Sequence, residues 1–282
     1  MTRNVEAPAP QLTARRIALV AWHVFKESVR DRVLYGIAGF AVILVAASIL
    51  IGQITAGQDL KIIKDLGLVA IELAGVLMAV FIGVGLVSKE IDRRSIYSLL
   101  AKPLPRWELV VGKYFGLVLT LAVNVAGMTL AFYAVLAWFS WSSPLEMRVS
   151  WDAPAADPKL LVAVALIVAE LALLTAIALF FSTFTSSALI SVAFTLGIFV
   201  AGLSSPELRH FGDAAARSAL TWVVTATGWI VPAFSLYDYK NDVVHGIAWP
   251  WPRVGYALAY AVAYVGALLA GAVALFSRRE FR

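Results

Sequence analysis

The 282-residue chain contains no cysteine, three histidines and four methionines. Without cysteine there is no disulfide, no thiolate metal site and no cysteine nucleophile. His23, His210 and His245 are scattered, so they predict no metal site. Met1, Met78, Met128 and Met147 are widely spaced, which argues against the cluster of soft ligands that copper(I) needs. Charge is also scarce: 15% of residues are charged and 61% are hydrophobic. A soluble globular chain is about 25% charged and about 45–50% apolar, so this composition describes an integral membrane protein with no role in binding nucleic acid. No G-x-x-x-x-G-K-[ST] phosphate loop occurs, which excludes ATP hydrolysis by that route. No G-x-S-x-G occurs either, and Ser204 and Ser205 near His210 read as an ordinary helix end. No cleavable leader is evident in the first 32 residues, so the first hydrophobic segment is expected to stay as an anchor.

What the chain does have is long apolar runs. Six of them, at 33–54, 66–88, 109–140, 159–181, 187–204 and 256–276, are read as spans. A helix rises ~1.5 Å per residue, so about 20 residues cross a hydrocarbon core of ~30 Å. At that length only helices satisfy the backbone within lipid. The expected fold is therefore an all-α membrane protein with six transmembrane helices. With the N-terminus inside, the inner segments hold 15 Lys and Arg against 8 outside, which predicts both termini in the cytoplasm. Residues 219–231 are apolar but too short to span. The stretch 213–230 within the outer loop 205–255 is read as a helix that re-enters the bilayer or lies on its outer surface. Trp222, Trp229, Trp249, Trp251 and Tyr256 fit an interfacial belt.

Ahead of the first span, residues 12–32 predict an amphipathic elbow helix on the inner surface. Ile17, Ala18, Ala21, Trp22, Val24, Phe25 and Val29 share one face. Arg15, Arg16, His23, Lys26, Glu27 and Arg30 share the other, with Leu19 and Val20 intruding on the polar side. The helix serves either as a lipid anchor or as a surface beside a partner subunit.

The charge that exists is concentrated. Val87 to Gly116 carries six basic and three acidic side chains. Ile96, Tyr97, Leu99 and Leu100 fall on one helical face, Arg94, Ser98 and Lys102 on the other. Pro103 and Pro105 end that helix, and a new one is expected near Arg106. On charge alone the inner loop 89–108 is simply a solvated topology determinant.

Its residue pattern says more. Glu90-Ile91-Asp92-Arg93-Arg94-Ser95, then Leu99-Leu100, Pro103, Arg106, Glu108, Gly112-Lys113 and Gly116 resemble the ATP-binding-cassette type-2 permease family, with departures at Arg94 and Pro105. Pro232 to Gly246 resembles the outer segment of the subgroup labelled multicopper-enzyme maturation permeases. The resemblance implies a dimeric membrane subunit, paired with a second copy or a related permease, in the inner membrane of a bacterium. It also implies separate cytoplasmic ATPase subunits that carry ATP and Mg, so this chain binds no cofactor. The loop would be a coupling helix whose contacts with the ATPase are Glu90, Arg93, Arg94, Ile96, Leu99, Leu100 and Arg106. Two readings of another kind stand beside it: a six-span scaffold that recruits a cytoplasmic partner, and an ATP-independent channel.

Two acids fall inside spans. Glu72 lies within reach of the outer interface, and Glu170 sits at the middle of its span. Charge there is costly and usually faces the bundle interior or a wet cavity. No basic residue occurs within a span to pair with Glu170, and Asn124 is a candidate hydrogen-bond partner for it. Glu170 is read either as part of a transport pathway or as structural glue between helices.

Overall fold

The structure is a computed structural model, and it describes residues 10–30, 32–52, 59–92, 105–149, 151, 153–185, 187–204, 231–246 and 251–278. Among the described residues every regular element is helical. In chain order these are α1 (Pro10–Val29), α2 (Arg32–Gly52), α3 (Asp59–Asp92), α4 (Arg106–Ser142), α5 (Leu145–Val149), α6 (Lys159–Phe184) and α7 (Ala188–Leu203). A 3-10 turn (Phe234–Tyr237), α8 (Lys240–Val244) and α9 (Trp251–Arg278) follow. Among the described residues four helices are long and apolar enough to cross a membrane, over Leu60–Gly85, Trp107–Ser142, Lys159–Phe184 and Trp251–Leu275. The apolar stretches Ile37–Ala47 in α2 and Ala188–Leu203 in α7 are shorter.

Helix α6 is the axis of the bundle. It packs against α3, α4, α7 and α9. Its sequence is apolar on every side, as expected of a helix surrounded by others. Helix α3 comes close to it because Gly75 and Gly83 face Leu171 and Ala178, where a Cβ would stand only 2.4 and 2.8 Å from side-chain carbons. Between helices in lipid, packing of this kind replaces the hydrophobic drive available in water. Buried hydroxyls are satisfied locally: Thr120, Thr129, Thr175 and Thr195 each donate to the carbonyl one turn back. Helix α9 is peripheral, with a narrow buried seam at Val254, Ala257, Ala261 and Ala272 flanked by half-buried and exposed residues.

Several helices outrun their apolar runs. Helix α3 starts at Asp59 and not at 66, so Lys64 is helical and 1% exposed. Its ammonium donates to the Pro154 carbonyl at 2.9 Å, and the Tyr133 hydroxyl donates to the Asp157 carbonyl at 2.9 Å. These bonds fasten the 151–158 connection across α3 and α4. Helix α4 begins directly after Pro105, whose own backbone is extended (φ −60°, ψ 138°).

Helix α1 forms as expected and lies along α4. Its packed seam is Ile17, Val20, Ala21, Val24 and Ser28, which is rotated from the predicted apolar face. Val20, read as an intruder among charges, rests on Gly112, and Val24 rests on Gly116. Trp22 is instead exposed and stacks on Phe25, with the Lys26 ammonium 5.4 Å from the Trp22 ring centre. Helix α1 thus has three stripes: a seam, an open apolar stripe and a charged one. At its N-terminal end the Arg16 guanidinium lies 3.9 Å from the carboxylate of Glu108, which is fully buried in the first turn of α4.

Candidate functional site

Glu170 is on α6, buried to 3% exposure, and its Oε1 has no hydrogen-bond partner. Glu72, on α3, faces the same place. Opposite them the chain returns from the outer loop as the segment 231–246, which lays the 3-10 turn and α8 across α3, α6 and α7. The segment is seated by packing. Phe234 is fully buried and meets Phe199 edge-on at 5.1 Å. Gly202 leaves room for the Pro232 carbonyl and the Phe234 ring. Two hydrogen bonds tie it to α9: Tyr237 donates to the Ala257 carbonyl at 3.1 Å, and the Ala233 amide donates to the Tyr260 hydroxyl at 3.2 Å.

This seating delivers Lys240 to the acids. Its ammonium pairs with the Glu72 carboxylate and lies 3.5 Å from Asp238, which is itself more than half exposed. Glu170 is within electrostatic reach of Glu72, Lys240 and Asp238. Burial by itself would lower the pKa of Lys240. The Glu72 charge and hydrogen bond outweigh it, aided by Asp238 and Glu170, and the net displacement is upward. The Tyr237 hydroxyl is pushed up as well, first by burial and then by Tyr260 and Glu170. The cluster therefore holds one ammonium against three carboxylates, two of them on membrane-embedded helices.

The two intramembrane acids thus come together, which the sequence reading did not anticipate. Asn124 does not join them through its amide, which donates to the Thr120 carbonyl of its own helix at 2.8 Å. Lys240 and Asp238 escaped notice as site residues because they stand in an outer loop, 168 positions from Glu72 in the case of the lysine. One signal was present: no basic residue stands within two helical turns of Glu72 or Glu170 in sequence, and Lys240 is the one lysine of 205–255.

Of the residues assigned to ATPase contact, Glu90 falls in the last turn of α3 and Arg106 opens α4. Arg93, Arg94, Ile96, Leu99 and Leu100 lie outside the described residues, as do 213–230 and Trp222, Trp229 and Trp249. Trp251 and Tyr256 are exposed at the start of α9. The Gly112-Lys113-x-x-Gly116 pattern, known only by resemblance, has a physical role: its glycines are the floor on which α1 lies.

No curated protein matches the chain significantly. A family model for the ABC-2 family transporter proteins matches residues 18–280, nearly the whole length from α1 to beyond α9. The chain, a membrane permease by its architecture and by this match, belongs to the ABC-2 transporter family.

Proposed function

We propose that this permease is the membrane-spanning half of an ATP-driven exporter. The observation that carries the reading is the family match over residues 18–280, in a chain without a phosphate-binding loop. Hydrolysis then belongs to separate ATPase subunits, which bind ATP and Mg. In this reading α2 and α7 also cross the bilayer, giving six spans with both termini in the cytoplasm of a bacterial cell, and α1 is the elbow on the inner surface. The basic, two-proline connection between α3 and α4 is the coupling element. Leu99 and Leu100 bury against the ATPase, while Glu90, Arg93, Arg94 and Arg106 set the register at the rim. Two copies, or this chain and a related one, pair to form the translocation unit. Purification of the tagged chain from its native membrane tests the reading. A stoichiometric phosphate-loop ATPase in the eluate is expected, and its absence after mild solubilisation counts against the proposal.

A further inference from the structure

Structural glue between two helices needs one ion pair, and Lys240 with Glu72 supplies it. Glu170 is surplus to that need. It is a second carboxyl group inside the bundle, nine-tenths buried, with an oxygen that bonds to nothing. Such an atom costs about 1–3 kcal/mol, more if charged, and burial of this kind marks a site for something that arrives. What arrives is indicated by what is already there. Glu72 already holds an ammonium, supplied by α8 from outside the spans. Among the described residues no trio of acids or histidines is arranged to hold a metal ion. The Tyr237 hydroxyl is within electrostatic reach of Glu170. Asp238, more than half exposed, adds a further carboxylate 3.5 Å from the Lys240 ammonium.

We propose that Glu72 and Glu170 form a receptor for a single ammonium group of the exported cargo, and that Lys240 is its built-in occupant, displaced when cargo binds. The inference rests on the permease reading and adds the class of substrate, an amine that is cationic at neutral pH. Lys240 competes with cargo for Glu72, so its removal strengthens cargo binding. A lysine that served only to fasten the outer segment would have no such effect.

The test is calorimetric titration of the purified chain in lipid nanodiscs, without ATPase or nucleotide, so its outcome is independent of the co-purification result. The probe is tyramine, with 4-ethylphenol as the same ring lacking the ammonium and sodium chloride as a simple cation. Tyramine binding with no response to 4-ethylphenol is expected. Lys240→Met should tighten it about tenfold, and Glu170→Gln should weaken it about tenfold, as for one charge-assisted hydrogen bond. Equal binding by wild type and Lys240→Met, full binding by Glu170→Gln, or a response to sodium alone would overturn the proposal. If Glu170→Gln aggregates, Lys240→Met decides by itself.

Discussion

Gly116 of α4 and Val24 of α1 stand so close that only hydrogen fits between them: a Cβ on Gly116 would lie 2.7 Å from the Val24 Cβ and 2.6 Å from the Ala21 carbonyl oxygen. Backbone lies on one side of that contact, so a larger residue cannot be absorbed by a rotamer change. Gly116→Val should lift α1 from α4, at a cost of about 1–3 kcal/mol typical of overpacking. Faster tryptic cleavage after Arg15 and Arg16, with the rest of the chain still inserted, is the expected readout. Unchanged cleavage would show that the seam is not needed to hold α1.

The Lys240–Glu72 pair is buried enough that its halves should not behave independently. Either Lys240→Met or Glu72→Gln alone strips a partner from a largely desolvated charge, which costs about 3–5 kcal/mol when burial is complete. The exposures of 16% and 13% place this pair below that limit. The double variant should melt higher than the sum of the single losses predicts, because no orphan charge remains. Thermal melts of the four proteins in one lipid provide the cycle.

The pH dependence of that stabilisation has a definite sign. The folded-state pKa of Lys240 lies above the ordinary value of 10.5. Its contribution is therefore complete below 10.5 and is lost only as pH climbs through the higher folded value. The difference in melting midpoint between wild type and Lys240→Met should be constant from pH 6 to pH 9, on the scale of the reference lysine pKa of about 10.4. A difference that already shrinks in that interval would mean that Lys240 is not paired as described.

Leu99 and Leu100 carry the most direct prediction about coupling. Replacing both with Asp should release the ATPase while leaving the chain in the membrane, because apolar anchors at an interface core are where binding energy concentrates. Retained ATPase after the double replacement would remove the docking role from this loop.

The helices were legible because an apolar run of some 20 residues has one structural solution in lipid. Their ends were less so. The apolar signal fades at Lys64, yet the backbone is helical from Asp59, and the buried lysine donates to the Pro154 carbonyl. The face of α1 was misjudged at Val20 and Trp22 for a related reason. A hydrophobic side chain can be apolar toward lipid or toward a glycine groove, and only the partner decides which. Glu170 and Glu72 could be picked out as anomalies within spans. Their meeting with Lys240 could not, since it depends on how a loop folds back across three helices. Asn124 illustrates the opposite error: a polar residue in a span found its acceptor in its own preceding turn.

The seam between α1 and α4 also constrains how the protein is born. Residue 29 leaves the ribosome more than 80 positions before Gly116 does. At about 5–20 residues per second, several seconds pass in which α1 exists and its groove does not. During that interval Val20, Val24 and Ser28 have no floor to rest on, and the helix must shelter its seam against the headgroups or a chaperone. Docking of α1 is thus a late event in biogenesis, completed only once α4 has been made.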